Sequence, residues 1–190
     1  MLHAKQAGLG IRARGEHGAT SEPDGNVRDR LLISATPADW ALAEWLTLRL
    51  TEEGYRVWYD SFCVLGPDWC PRDSETLDRR VCRIIVVLSP VSVPSARSVR
   101  ERSLVLGLLD KLGTDVLIGI DTGSVGTREL LATAGGGEPI DFAERWDVGF
   151  EQLLARLRAA DVPRTLPRGS QRAAVARELL RTRRSWPTWL

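Results

Sequence analysis

The sequence is short of the residues on which metal and acid–base chemistry most often depend. It has two histidines among its 190 residues, His3 and His17, and both precede the first predicted strand. This scarcity argues against catalysis by histidine and against a histidine-ligated metal, so we predict no metal site. The three cysteines, Cys63, Cys70 and Cys82, are odd in number and lack a metal-ligand spacing. We predict that they are reduced thiols.

Long apolar runs and a strong net charge are also missing. No run is long enough to cross a bilayer, and the opening residues, MLHAKQAGLG, lack the apolar centre of a signal peptide. The formal net charge is +1, which gives no general attraction to nucleic acid. We therefore predict a cytoplasmic protein that binds neither membranes nor nucleic acid.

What the chain does have is a regular alternation of apolar strands and amphipathic helices. Strands are predicted at 30–34, 55–60, 82–89, 115–121 and 138–142. Helices are predicted at 36–54, 71–80, 95–112, 127–133 and 146–160. The run CRIIVVLS at 82–89 is apolar throughout, which is typical of a central parallel strand buried on both faces. The pattern predicts an α/β fold, a flavodoxin-like five-stranded parallel sheet with helices on both faces.

Two helices carry signals that make detailed predictions. Thr36-Pro37-Ala38-Asp39 predicts a helix start with a hydroxyl cap, and Gly54 predicts a left-handed end. In the helix at 146–160 the residues expected to face the core are Val148, Leu153, Leu154 and Leu157. We interpret three tryptophans as packing residues: Trp40, Trp45 and Trp58.

The chain divides by composition into three parts. Residues 1–28 are rich in glycine and charge without any period, and we expect a disordered leader. Residues 29–160 form the predicted domain. Residues 161–190 carry seven arginines and a short predicted helix with Ala174, Val175 and Leu179 on one side. We interpret this part as a basic tail that is disordered or loosely helical; a docking or self-assembly segment is the alternative.

An acidic residue extends the apolar stripe of the helix that follows the third strand. In SPVSVPSARSVRERSLVLGLLDKL, Ser89 to Leu112, helical spacing aligns Glu101 with the apolar residues Leu104, Val105, Leu108, Leu109 and Leu112. A core-facing carboxylate must meet a partner or a solvated cleft. Spacing alone leaves both open, because Arg97 lies four residues earlier and could pair with Glu101.

Three short strings, in this order and spacing, resemble the Toll/interleukin-1 receptor (TIR) domain family, most closely its bacterial branch. They are LLIS before the first helix, EEGYRVWYD before an irregular segment, and RIIVVLSP before the helix that bears Glu101. The resemblance covers roughly residues 30–160. It implies a flavodoxin-like domain that works by self-association through TIR–TIR contacts and by contact with other TIR proteins.

The resemblance also implies an activity. Many bacterial members cleave the bond between nicotinamide and ribose in NAD, so NAD would be a substrate and no cofactor is expected. The family glutamate on the helix after the third strand corresponds to Glu101, twelve residues beyond Ser89. The implied substrate contacts are Ser34, Ala35, Phe62, Trp69 and Arg97. The loop from Asp60 to Trp69 corresponds to the family's interface loop, with Asp60, Cys63, Leu65, Gly66 and Pro67 as contact residues.

Two hypotheses therefore stand. The first is an NAD glycohydrolase or cyclase that acts after self-assembly, in bacterial defence or in NAD depletion. The second is a catalytically degraded TIR module that acts only through protein contacts or signal binding. The second is suggested by departures from the family pattern: Ala35 replaces a tyrosine, Phe62-Cys63 an aromatic–Asp pair, Gly66-Pro67 a Pro-Gly and Arg97 a tryptophan. Phe62 and Trp69 could also serve as anchors of the loop rather than as stacking partners.

Overall fold

The sheet is the organising element of the fold. The computed structural model describes residues 27–59, 69, 74–90, 105–123 and 137–182. Within them the strands are β1 (Arg30–Ala35), β2 (Arg56–Tyr59), β3 (Val81–Leu88), β4 (Leu117–Asp121) and β5 (Ile140–Asp141). Their order is β2-β1-β3-β4-β5, and every pair is parallel. The predicted five-stranded parallel sheet is confirmed, with β3 between β1 and β4.

The helices alternate with the strands. They are α1 (Trp40–Glu52), α2 (Ser74–Arg80), α3 (105–112), α4 (Trp146–Ala159) and α5 (Gln171–Thr182). Short 3-10 turns cover Pro37–Asp39 and Thr114–Val116. None of the helices in the described part of the chain has the length and apolar character needed to cross a membrane. The predicted helix at 127–133 lies outside the described residues.

Each face of the sheet has its own apolar core. On one face, β-strand residues such as Ile33 and Ile85 pack with side chains of α1 and α4. On the other, Ile84 and Val86 pack with side chains of α2 and α3. Successive residues of β3 therefore point to opposite cores, which explains why its sequence is apolar throughout. Helices cover both faces, as the sequence predicts.

Helix α1 begins and ends near the residues that the sequence indicates. Gly54 has a φ of +94° and the Tyr55 amide donates to Leu50 O at 3.0 Å, so the left-handed end is confirmed. The start differs in detail. The Thr36 side chain makes no capping bond to a backbone amide; its hydroxyl donates to Asp39 Oδ2 at 3.2 Å. A carboxylate accepts this bond because the intervening turn is a 3-10 turn.

The inward face of α4 is partly different from the predicted one. Leu153, Leu154 and Leu157 are buried as predicted, but Val148 is 43% exposed, so its assignment to the core was wrong. Gly149 and Phe150 take the inward position instead. A Cβ at Gly149 would lie 2.6 Å from a ring carbon of Phe142, so the absence of a side chain lets α4 approach β5 closely.

The amino edge of the sheet is held by one buried carboxylate. Asp29 Oδ1 accepts from Arg80 Nη2 at 2.9 Å, and its Oδ2 accepts from Thr165 Oγ1 at 2.8 Å. The Nε atoms of Arg30 and Arg56 lie 3.8 and 3.6 Å from the same carboxylate. Because Arg30 begins β1, Arg56 begins β2 and Arg80 precedes β3, this single group joins three strand starts.

The segment after residue 160 packs on the domain rather than trailing from it. The Leu166 amide donates to Gly54 O at 3.0 Å. Helix α5 lies against α1 and buries Ala173 and Ala176, with Leu179 half-buried. The expectation of a loose or disordered tail is therefore wrong for residues 161–182. The predicted apolar side is wrong at Ala174, which is exposed, whereas Leu179 packs against the core and Val175 is half-buried. Small buried alanines allow close helix contact without a strong apolar stripe.

Cys82 is a buried free thiol near the amino edge. Its Sγ donates to Arg30 O at 3.2 Å. Burial raises the pKa of the thiol to about 11, partly offset by the nearby Arg83 charge. The prediction of a reduced thiol is confirmed at this position; Cys63 and Cys70 lie outside the described residues.

Two glycine substitutions test the packing of α4 against β5. Gly149→Ala should lower the free energy of unfolding by about 1–3 kcal/mol, because the added methyl meets Phe142 and the Asp141 carbonyl. The matched control is Gly107→Ala in α3, where nothing lies within 4 Å of the added Cβ. That change should raise the free energy of unfolding by about 0.4–1 kcal/mol. Urea denaturation measures both, and equal effects at the two sites would contradict the packing.

The Cys82 thiol predicts a loss of stability at alkaline pH. An unfolded thiol ionises near 9 and the folded one near 11, so unfolding releases a proton between these values. The free energy of unfolding should be unaffected below about pH 8 and fall by up to about 1.4 kcal/mol per pH unit between them. Urea denaturation of the protein and of Cys82→Ser, which keeps a donor but does not ionise, isolates this contribution. Parallel pH curves for the two proteins would contradict it.

Candidate functional site

The carboxyl ends of the strands form the one sheet edge where a ligand is expected in a parallel α/β fold. The register places Ala35 of β1 beside Val87 of β3, and Leu88 of β3 beside Asp121 of β4. The chain segments that leave these three strands are therefore neighbours. Their first residues form the described part of the candidate site.

A buried carboxylate joins the ends of β1 and β3. Asp39 Oδ2 accepts from Ser89 Oγ at 3.1 Å and from Thr36 Oγ1 at 3.2 Å. Asp39 and Ser89 are both 7% exposed, so these bonds form away from bulk water. Bonds from hydroxyls to a carboxylate in such surroundings are stronger than bonds between neutral groups. The pair fixes where the chain leaves β3.

A second carboxylate organises the end of β4. Asp121 is 3% exposed and its Oδ1 accepts from the Gly123 amide at 3.0 Å, which closes a turn. The Thr122 amide and hydroxyl both donate to Leu88 O, at 3.1 and 3.3 Å. The ends of β3 and β4 are therefore joined by hydrogen bonds, as are those of β1 and β3.

The two predicted substrate contacts of β1, Ser34 and Ala35, have side chains on opposite faces of the sheet. Ser34 is half-buried and pairs with Val86, whose side chain lies in the core under α3. By strand alternation the Ser34 hydroxyl is on that same side, at the carboxyl end. Ala35 is buried in the opposite core under α1. The Ala35 methyl group packs in that core, so the part of Ala35 that lies at the carboxyl edge is its backbone.

Trp69 is packed in the core, as an anchor of the loop would be. It is 4% exposed and belongs to the core under α1. The guanidinium of Arg172 lies over its ring, with 4.3 Å between Cζ and the ring centroid. Since one ring face is covered and the remainder is buried, the ring offers no surface to a ligand in this structure.

The other predicted site residues lie outside the described residues. They are Asp60, Phe62, Cys63, Leu65, Gly66, Pro67, Arg97 and Glu101. What the structure describes next to Glu101 is α3, in which Val105, Leu108 and Leu109 are buried against the sheet. The predicted inward stripe of this helix is confirmed at these three positions.

Two residues of this edge were not predicted from the sequence as site residues. Asp39 was interpreted only as the acid of a helix start, and Asp121 only as the last residue of a strand. A signal was available, because a carboxylate that directly follows or ends an apolar strand lies at the ligand edge of a parallel sheet. Asp121 ends the run LIGID, and Asp39 lies four residues beyond the end of β1.

The chemistry of this edge favours hydroxyl groups or positive charge over phosphate. Its described stretches, 34–39, 88–90 and 121–123, contain two aspartates, hydroxyl side chains and no lysine or arginine. Carboxylates and hydroxyls accept hydrogen bonds from sugar hydroxyls, and the negative charge of the carboxylates repels anions. In the described part of the chain no group of three or more His, Cys, Asp or Glu side chains could hold a metal ion.

The comparison with known families gives one match. The sequence model of a family described as TIR domain matches residues 31–154. The matched range contains β2 to β5, nearly all of β1 and most of α4. No curated protein matches the chain. The segment 161–182, which packs on α1 and on the amino edge, lies beyond the matched range.

The bond between Ser89 and Asp39 gives a stability prediction. Ser89→Ala should lower the free energy of unfolding by about 1.5–3 kcal/mol, because it removes a donor from a buried carboxylate. The control is Thr122→Val, which removes a bond to a neutral carbonyl and should cost about 0.5–1.5 kcal/mol. Urea denaturation of both variants measures the difference. A smaller loss for Ser89→Ala than for Thr122→Val would show that Asp39 does not depend on Ser89.

Proposed function

The chain belongs to the TIR domain family, and from this membership we propose that it cleaves the nicotinamide–ribose bond of NAD after self-association. Glu101 is the proposed catalytic carboxylate. NAD is the substrate, and the ribose carbon that loses nicotinamide forms a new bond either to water, which gives up a proton and yields ADP-ribose, or to another group of the same molecule, which yields a cyclic product. The biological role that follows is bacterial defence or cell killing through NAD depletion.

The burial of α3 residues that follow Glu101 in the sequence is the observation that supports this proposal. Glu101 precedes Val105 by four residues and Leu108 by seven, and both of these side chains are buried against the sheet. If the helical period continues, Glu101 faces the same side. The described part of α3 ends at residue 112, shortly before β4 begins at Leu117 on the amino edge of the sheet. We therefore propose that Glu101 lies at the opposite, carboxyl edge, with Ser34 and Ser89.

A carboxylate suits the chemistry of this bond. Nicotinamide leaves as a neutral molecule, so the reaction needs no metal and little proton transfer to the leaving group. The barrier lies in the ribose, which develops positive charge as in other glycoside cleavages. A fixed negative group beside the sugar stabilises that charge and accepts bonds from its hydroxyls. The lack of lysine and arginine in the described stretches that leave β1, β3 and β4 agrees with this role.

Self-association is part of the proposal because TIR domains generally bind one another or other TIR domains. The loop from Asp60 to Trp69 is the proposed contact segment. Its described residue Trp69 is held in the core, so the segment is anchored at that end. We expect nicotinamide release per molecule to rise with protein concentration, since assembly precedes turnover.

A non-catalytic TIR module is the second candidate, and two observations favour it. Of the five predicted substrate contacts, Trp69 is buried and the Ala35 methyl lies in the core. These two side chains do not build the walls of a nicotinamide pocket. Normal self-association without any NAD turnover, together with loss of assembly in Phe62→Ala, would favour this candidate.

Turnover by a carboxylate variant tests the first candidate. Concentrated protein is incubated with NAD, and free nicotinamide is measured by chromatography across a range of protein concentrations. Glu101→Gln keeps the shape of the side chain and removes its charge, so it should lower the rate by at least about 100-fold. The control is Glu151→Gln, at an exposed position of α4, which should leave the rate unchanged.

Two results would contradict the enzyme proposal. One is the absence of nicotinamide release from the unaltered protein at every concentration at which it self-associates. The other is an equal rate from the unaltered protein and from Glu101→Gln. A loss of rate in Glu151→Gln as large as that in Glu101→Gln would show a general charge effect and would also count against Glu101.

A further inference from the structure

One side chain of the C-terminal helix contacts residues on both sides of the segment 60–68. The guanidinium of Arg172, in α5, donates to the backbone carbonyl of Val57 in β2. The same guanidinium lies over the ring of Trp69, with Cζ 4.3 Å from the ring centroid. Val57 is two residues before Tyr59, the last residue of β2, and Trp69 is the next residue along the chain that the structure describes.

This contact links β2, which ends at Tyr59, to Trp69. Tyr59 and Trp69 are both buried, at 1% and 4% exposure, in the core under α1. A guanidinium is planar and can donate in its plane while an aromatic ring lies against its face. Arg172 uses both properties at once, so β2 and Trp69 are held at a fixed distance by a residue from outside the matched TIR range.

The attachment of α5 itself is modest. Ala173 and Ala176 are buried against α1, and Leu179 and Leu180 are half-buried. Arg177 and Arg181 are exposed and, among the described residues, bond within the helix and its preceding turn. The fully buried side chains of α5 are two alanines, which supply less apolar area than the strands bury, so we expect this contact to open at a lower free energy than the sheet does.

We propose that Arg172 is a positioning residue, through which the segment 161–182 controls the self-association of the domain. When α5 is seated on α1, Arg172 holds Tyr59 and Trp69 in the arrangement seen here. When α5 is released, the spacing of these two residues relaxes and the assembly that uses the neighbouring segment weakens. The effects on assembly and on NAD turnover rest on the proposed function, in which the loop from Asp60 to Trp69 is the contact segment; the effect on the spacing of Tyr59 and Trp69 does not.

Arginine is required by this geometry, and lysine is a poor substitute. A lysine ammonium could still lie over the Trp69 ring, but it cannot donate in a plane to Val57 O while stacking. Arg172→Lys should therefore have an intermediate effect, and Arg172→Ala the full effect. Arg181→Ala is the matched control, because Arg181 is on the same helix, is exposed and pairs only with Glu178 among the contacts that the structure describes.

Amide hydrogen exchange of the full chain tests the positioning directly. Peptides that contain Tyr59 and Trp69 should exchange about three- to tenfold faster in Arg172→Ala than in the unaltered protein, the factor expected for loss of a cation–π contact. Peptides from β3 and β4 should be unchanged, as should every peptide of Arg181→Ala. Light scattering should show weaker self-association for Arg172→Ala, with Arg172→Lys between the two.

The exchange and light-scattering results together test the proposal. Faster exchange at Tyr59 and Trp69 together with weaker assembly would support the proposal. It would do so even if the unaltered protein released no nicotinamide, because that result would remove only the proposed NAD activity. Unchanged exchange at Tyr59 and Trp69 would overturn it. So would local faster exchange with unchanged assembly, because control of self-association would then be absent. Faster exchange throughout the sheet in both Arg172 variants would assign Arg172 to general stability alone and would also overturn it.

Discussion

The fold depends on a buried ionic centre at the amino edge of the sheet. Asp29 accepts bonds from Arg80 and from the Thr165 hydroxyl, and lies beside Arg30 and Arg56. A buried carboxylate is tolerated only when such partners compensate for its lost hydration. Its partners come from the starts of three strands and from the segment after residue 160. The amino edge is therefore closed by charge pairing, and α5 is brought back onto α1.

Because charge pairing occupies the amino edge, we place the ligand site at the carboxyl edge of the sheet. There the described stretches that leave β1, β3 and β4 contain carboxylates with hydroxyl and amide donors and no lysine or arginine. The carboxylate at the amino edge is paired with arginines, whereas the two at the ends of β1 and β4 accept bonds from hydroxyl and amide groups. The proposed role of Glu101 places a further carboxylate at this second edge, beside a sugar that develops positive charge.

The sequence predicted the sheet because the strands are continuous apolar runs, and periodicity reports burial directly. It failed where packing depends on distant residues. Val148 was assigned to the core because it is apolar, yet Gly149 takes the inward position since Phe142 leaves no room for a side chain. The packing of α5 was missed because Ala173 and Ala176 give a weak amphipathic signal. The role of Trp69 could not be predicted, since Arg172 is far away in the sequence.

The central claim is that the substrate binds at the carboxyl edge, and hydrogen exchange in the presence of NAD tests it most directly. Glu101→Gln is suited to this measurement because it should bind NAD without consuming it. If NAD binds at the carboxyl edge, amide exchange in peptides that contain residues 33–39 and 86–90 should be slower in the presence of NAD. Exchange in peptides around Asp29 should not change. Protection confined to the amino edge, or none anywhere at saturating NAD, would contradict the account.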